Sequence, residues 1–111
     1  MWYDGRLFRV ASTKGRSQTS DETIFQYFQK GDLLTGKYSG GEIEYGHLLG
    51  LVDDRGNLNF RYHHLTYEGV LMSGKCKSRP EVLDNGKIRL HERWQWTTGD
   101  RSKGTSILEE I

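Results

Sequence analysis

Hydrophobic and polar residues alternate along much of this chain, which is the period of a β-strand. The alternation is clearest in residues 57–64 and 87–96, where nearly every second side chain is apolar or aromatic. Strands with one apolar and one polar face are typical of an antiparallel sheet that is covered on one side. The two apolar faces hold Leu58, Phe60, Tyr62 and His64 in the first segment, and Ile88, Leu90, Glu92, Trp94 and Trp96 in the second.

Glycine-containing breaks separate the extended segments and are typical of tight hairpins. Asp84-Asn85-Gly86 is the clearest, because glycine supplies the positive φ that such turns need and asparagine tolerates it. Pro80 is expected to end the sixth segment, since proline cannot donate to a central ladder. The predicted segments are Arg6–Thr13, Thr23–Gln29, Leu33–Tyr38, Glu42–Val52, Asn57–Thr66, Val70–Ser78, Lys87–Thr97 and Thr105–Ile111.

Eight strands without helices leave the apolar face of the sheet uncovered unless the sheet closes on itself. Closure buries that face and removes the exposed edges. Short connections between successive segments favour an up-and-down barrel over a two-sheet sandwich. Glycines inside the strands fit the bending that closure requires. We therefore predict an all-β, eight-stranded antiparallel meander barrel, with residues 1–111 forming one domain.

Charge and composition exclude several classes of protein. The 16 lysines and arginines are spread over every segment and offset by 15 acidic residues, which predicts neither a nucleic acid nor an anionic membrane as partner. The N-terminal residues lack the apolar run of a secretory signal, and no stretch is apolar enough to span a membrane. The single cysteine, Cys76, excludes an internal disulfide framework. These features predict a cytoplasmic protein.

Glu92 is the most unusual residue of the pattern, because it falls on an apolar face that would point into the barrel. A buried carboxylate is costly unless it is paired or hydrogen-bonded, and inward-facing Tyr62 and His64 are candidate partners. The pattern fits a polar anchor in a pocket for a small, partly apolar ligand, bound without catalysis. It also fits a buried polar network, or a strand whose register is shifted by one. The predicted ligand-binding residues are Tyr27, Phe60, Tyr62, His64, Glu92, Trp94 and Trp96.

Catalytic and metal-binding patterns are weak. Adjacent His63 and His64 point to opposite faces of a strand, so they cannot chelate one ion together, and no zinc-type spacing occurs. Cys76 fits a buried, unreactive thiol. We predict no catalytic residue, no metal and no cofactor. An enzyme would have to use Glu92 and His64 as an acid–base pair.

The fourth segment carries apolar residues on both faces, which suggests a second covering surface. Leu48 and Val52 lie opposite the other apolar residues of this segment and would face outward. Two scattered surface residues are the simpler explanation. A filled barrel that forms a homo-oligomer, or that binds a protein partner through this strand, is therefore the alternative function.

Four runs, spread over nearly the whole chain, carry a family resemblance. They are Tyr38-Ser39-Gly40-Gly41, Gly46-His47-Leu48-Leu49-Gly50, Arg61-Tyr62-His63-His64, and residues 89–97 followed by Gly99-Asp100. Together they resemble a family of small bacterial proteins with an avidin-like or lipocalin-like (calycin) barrel. Its members often carry the label N-acetylglutamate synthase. An acetyltransferase of the usual kind needs a helix N-terminus for the pyrophosphate of acetyl-CoA, and this sequence predicts none. The resemblance implies a fold and transfers no site residue.

Overall fold

All eight predicted strands form in the computed structural model, which describes residues 2–111. Seven of them agree with the predicted bounds to within two residues, and only the sixth is clearly longer. The strands are β1 (Leu7–Lys14), β2 (Ile24–Lys30), β3 (Leu33–Gly40), β4 (Ile43–Val52), β5 (Leu58–Thr66), β6 (Leu71–Val82), β7 (Ile88–Trp96) and β8 (Lys103–Glu110).

The strands form one closed antiparallel barrel in which each pairs with the next along the chain. β1 and β8 complete the ring, with Phe8 opposite Glu110 and Lys14 opposite Thr105. The predicted fold class, an up-and-down meander barrel, is confirmed. None of the described residues forms a helix long and apolar enough to cross a membrane.

Pro80 lies inside β6, so the prediction that it ends the strand was wrong. The ladder between β5 and β6 stops at Leu58 opposite Ser78, whereas β6 and β7 stay paired as far as Val82 opposite Ile88. Beyond Ser78, β6 therefore has one neighbour instead of two. Proline is tolerated there because its missing N–H can face the side without a partner strand.

A β-bulge reverses the predicted faces of β4. The β4–β5 ladder passes from Ile43 to Tyr45 while the partner strand advances by one residue only. This extra residue shifts the alternation, so Leu48 and Val52 point into the barrel and are buried. The prediction that they face outward was wrong. The outward apolar residues of β4 are Tyr45, Leu49 and Leu51, each more than half exposed.

Glycines inside the barrel lie opposite large rings on the neighbouring strand. Gly46 is paired with Tyr38, and Gly74 with Tyr62. A Cβ atom at either glycine would overlap the ring opposite. These glycines therefore make room for many aromatic side chains in a narrow barrel. This role adds to the strand bending that the sequence predicted for them. The same relationship holds between Gly104 and Trp94. At Gly50, a Cβ atom would instead overlap the β5 backbone and the Cβ of Phe60.

The two ends of the barrel are covered differently. At the end where β1 begins, Tyr3 is fully buried, and its hydroxyl donates to the carbonyl of Gly56 in the β4–β5 turn. We call this the lower end. At the upper end, the β1–β2 loop of residues 15–23 lies over the opening of the barrel. The cavity described below lies beneath this loop.

Candidate functional site

A cavity of about 50 Å³ lies inside the upper half of the barrel. Large rings from β2, β3, β5 and β7 form most of its wall, and Ser17 and Thr19 from the β1–β2 loop reach it from above. Six of the seven predicted ligand-binding residues line this space. They are Phe60, Tyr62, His64, Glu92, Trp94 and Trp96.

A row of polar side chains runs across three adjacent strands inside the barrel, and two of its members, Glu92 and Ser106, line the cavity. Ser78, Glu92 and Ser106 are partners in register on β6, β7 and β8. The Ser78 hydroxyl donates to Glu92 Oε2 at 2.9 Å. Ser106 accepts a hydrogen bond from Trp94 Nε1 at 2.9 Å, and its Oγ lies 2.8 Å from Thr13 Oγ1. Ser78 therefore partners Glu92, in place of the predicted Tyr62 and His64.

Glu92 combines deep burial with few hydrogen-bond donors around its carboxyl group. Its side chain is 8% exposed. Ser78 donates a hydrogen bond to Oε2, and the buried Cys76 thiol is a second, weaker donor to the same carboxyl group. Burial raises the pKa of Glu92 to about 7, and the bond from Ser78 opposes that rise. Near neutral pH the group can therefore either accept a hydrogen bond as a carboxylate or donate one as an acid.

His64 is held in one neutral form by two side chains. Its Nδ1 lies 2.9 Å from the Tyr38 hydroxyl, and its Nε2 lies 2.6 Å from Gln18 Oε1. An amide oxygen only accepts, so Nε2 carries the proton and Nδ1 accepts from the tyrosine. Burial lowers the pKa of His64 to about 4, with a smaller effect of the nearby His63. His64 is therefore uncharged at neutral pH and connects the barrel wall to the loop above.

Hydrogen bonds fasten the β1–β2 loop over the cavity at several points. Trp96 Nε1 donates to the carbonyl of Arg16 at 2.8 Å, close to the contact between His64 and Gln18. Thr23 Oγ1 donates to the carbonyl of Gly40 at the other end of the loop. The loop therefore forms a lid, defined as residues 15–23, and two of its attachments come from cavity residues.

The chain matches the family model described as avidin-like protein over residues 1–111. It belongs to the avidin-like protein family. This membership agrees with the closed eight-stranded barrel and with the resemblance carried by the sequence. A search of curated proteins and a search of solved structures each gave no significant match.

Tyr27 does not line the cavity of this avidin-like protein, which corrects its predicted place among the ligand-binding residues. It is fully buried in the lower half, where its ring centroid lies 5.0 Å from that of Phe8 and 6.1 Å from that of Tyr3. Its hydroxyl has no hydrogen-bond partner within the described residues. No local pattern in the sequence indicates that the N-terminal residues pack against Tyr27 at this end of the barrel.

Sequence reasoning missed the cavity residue Tyr38 of the avidin-like protein, and also Ser78 and Gln18, which bind the cavity residues Glu92 and His64. Tyr38 stacks on Phe25 with centroids 4.9 Å apart and also binds His64, yet its segment showed too few apolar residues to reveal its direction. Ser78 lies two residues after Cys76 on the same buried face of β6, and this alternation was the available signal for its role beside Glu92. Gln18 lies in a polar loop, where no periodicity predicts direction.

Other chemistries lack a matching arrangement in the described part of the avidin-like protein. His64 and Glu92 line the same cavity, but each is hydrogen-bonded to other side chains rather than to its counterpart. Cys76 is buried, and burial raises the pKa of its thiol, which keeps it protonated. No group of three His, Cys, Asp or Glu side chains within residues 2–111 is placed to hold a metal ion.

Proposed function

We propose that this avidin-like protein binds a small, partly apolar ligand in the upper cavity of its barrel without transforming it. The observation that carries the proposal is the position of Glu92, a buried carboxyl group on the wall of a cavity with aromatic sides. A carboxylate can accept about four hydrogen bonds, and Ser78 with the weak Cys76 thiol leaves room for a ligand donor.

The cavity favours a ligand with an apolar body and one hydrogen-bonding end. Tyr62 and Trp96 meet edge to face, with centroids 5.6 Å apart, and present ring surface to the interior. An amine or hydroxyl would donate to Glu92. A cationic amine would also favour the ionised carboxylate, because opposite charges lower the pKa of a carboxyl group.

The closed lid limits the size of that ligand. A single water needs about 10–15 Å³ of such space, so about 50 Å³ holds only a few waters or a small chemical group. A larger ligand requires the lid to move and some wall side chains to change rotamer. The lid is attached mainly by hydrogen bonds, which contribute about 0.5–1.5 kcal/mol each, so this movement is energetically accessible.

Native mass spectrometry of protein purified gently from its own host tests the proposal directly. A bound ligand appears as a reproducible added mass that disappears on denaturation, and its mass identifies the ligand class. Protein that is free of added mass, and whose tryptophan fluorescence stays unchanged in a screen of small amines and alcohols, would contradict the proposal.

Glu92→Gln and Tyr27→Phe form a matched pair of variants for any ligand found. Glu92→Gln removes the charge at the cavity and should weaken binding of a cationic ligand by about tenfold or more, the loss expected for a charged hydrogen bond. Tyr27→Phe alters an equally buried residue outside the cavity and should leave affinity unchanged. An equal loss in both variants would indicate a general packing effect.

Self-association is a second candidate, supported by the outward face of β3 and β4. Leu33 is paired with Leu51 in the ladder, and Leu49 and Tyr45 extend the exposed apolar surface along β4. We propose that a second copy of the chain covers this surface. Leu49→Ser/Leu51→Ser should then lower the oligomer mass by analytical ultracentrifugation, whereas an unchanged mass would reject this candidate. Leu48→Ala, at an inward site of the same strand, is the control for lost stability.

Acetyl transfer, the activity in the family label, has no support among the described residues. They form strands, turns and loops, and offer no helix N-terminus of the kind that holds a pyrophosphate. Purified protein incubated with acetyl-CoA and glutamate should release no coenzyme A above the rate without protein. Release that saturates with glutamate would overturn this conclusion.

A further inference from the structure

Five basic side chains that are distant in sequence lie together on the outside of β5 to β8. Arg61 is paired with Lys75 across one ladder, and Lys77 with Arg93 across the next. Lys103 also lies on the outside, on β8. Gln95 of β7 is paired with both Lys75 and Lys103 and so lies between them. We call Arg61, Lys75, Lys77, Arg93 and Lys103 the basic face.

The basic face forms the walls of a groove of about 570 Å³. Among residues 2–111, no carboxylate lines this groove, and none of the five cations takes part in an ion pair. Arg89, further along β7, shows the contrast, since it lies 3.6 Å from both Glu81 and Glu109. The cations of the basic face are therefore unneutralised by the protein itself.

Charge is segregated on this molecule although its net charge is only +1. The basic face holds five of the 16 lysines and arginines and none of the 15 acidic residues. The remaining surface carries 11 cations against 14 carboxylates, because Glu92 is buried inside the barrel, so its balance is negative. The residues appeared dispersed in the sequence because each strand contributes one or two of them. The prediction that nucleic acid is not a partner depended on that dispersion.

We propose that the basic face binds the phosphate backbone of duplex nucleic acid without regard to base sequence. Neighbouring strands are about 4.8 Å apart, and alternate residues of one strand about 6.7 Å apart, so the five cations form a compact two-dimensional array. Such an array can contact several phosphates at once and release their counterions, which supplies the free energy of nonspecific binding.

The composition of the groove favours nucleic acid over other polyanions. A protein partner normally needs a buried aromatic or aliphatic anchor, and stable membrane attachment usually adds apolar insertion or a lipid anchor to basic charge. Within the described residues, the apolar members of the groove are Cys76 and Trp94, and both are buried from the barrel side. A closed barrel also offers no central strand edge to which a peptide could add. Since no exposed ring is present for base stacking, duplex should bind at least as tightly as single strands.

Fluorescence anisotropy with a labelled 20-base-pair duplex, and with one of its single strands, measures the proposed binding. With about five phosphate contacts, affinity for the duplex should fall by about 500-fold between 50 and 200 mM salt, and affinity for the single strand by about 100-fold. Lys77→Glu/Arg93→Glu should weaken duplex binding by about tenfold or more at 50 mM salt and should reduce the salt dependence.

Lys30→Glu/Lys37→Glu is the matched control, because it makes the same change in net charge at exposed sites on β2 and β3. This variant should keep most of the duplex affinity. Circular dichroism and thermal melting of both variants confirm that they fold, as expected for exposed positions.

Three results would overturn the proposal. The first is no measurable duplex binding at 50 mM salt. The second is an equal loss in the control variant, which would mean attraction by net charge alone. The third is stronger binding to polyglutamate or to phosphatidylserine vesicles than to the duplex, which would assign the basic face to an acidic protein or to a membrane.

Discussion

The ring of Tyr62 occupies the space that a side chain at Gly74 would need. The two residues are partners in the β5–β6 ladder, and both point into the barrel. Gly74→Ala should therefore destabilise the protein by about 1–3 kcal/mol, the usual cost of adding volume to a packed core. Urea denaturation followed by tryptophan fluorescence measures this change.

A double-mutant cycle isolates the contact between these two residues. Gly74→Ala should cost clearly less when Tyr62→Ala is also present, since the ring is then absent. The coupling between residues in direct contact is expected to be about 0.5–3 kcal/mol. Additive effects of the two substitutions would show that glycine is required at position 74 for its backbone conformation and not to make room for the Tyr62 ring.

Glu92 should make the protein less stable as the pH rises from about 4.5 to 7. Burial raises its pKa from 4.5 to about 7, so in this range the folded protein holds a proton that the unfolded chain releases. A pKa difference of this size corresponds to about 3 kcal/mol, fully lost above pH 7. Glu92→Gln should remove this fall. Unfolding free energies from urea titrations between pH 4 and 8 provide the measurement.

His64 should have the opposite effect over nearly the same range. Its pKa is lowered from 6.5 to about 4, so the unfolded chain binds a proton that the folded protein does not. Its contribution to stability therefore rises between about pH 4 and 6.5 and is complete above that value. We expect the difference in unfolding free energy between the wild type and His64→Gln to grow with pH across this range. A constant difference would mean that His64 is not held neutral.

Gln18→Ala should loosen the lid by removing the acceptor for His64 Nε2. Residues 15–20 should then exchange amide hydrogens faster, and acrylamide should quench Trp94 and Trp96 more effectively because the cavity opens. Gln26→Ala is a suitable control, since the Gln26 side chain makes no hydrogen bond within the described residues and lies on the far side of β2 from the cavity. Equal exchange and quenching in both variants would show that the remaining attachments are sufficient.

The fold was predictable because its signals are local. Turn glycines and side-chain alternation depend only on neighbouring residues, and they placed all eight strands and their order. Alternation also placed Glu92, Trp94 and Trp96 on the inner face. It failed at β4, where a single extra residue near Glu44 reverses the faces, because a bulge leaves little trace in hydrophobicity.

The rest of the site depends on contacts between distant residues, which no local pattern reveals. The bond between Gln18 and His64 joins a loop to a strand 46 residues away. Likewise, Tyr27 lies in the lower half of the barrel, where it packs against Tyr3 and Phe8 and does not reach the cavity. The basic face shows the same limit, since its five cations come from four strands and meet only through the register of the barrel.

Most of the loop-closure entropy lost on folding this barrel falls on one ladder, the pairing of β1 with β8. Every pairing from β1–β2 to β7–β8 joins strands that follow each other in sequence, whereas β1 and β8 lie at opposite ends of the chain. Hairpins between neighbours should therefore form early, and the β1–β8 seam last, since long loops are the slowest to close. Until that seam forms, an open sheet with two free edges exists, and it can pair with another copy. The finished barrel is protected from edge-to-edge aggregation, so the period of risk for this protein is the interval before its first and last strands meet.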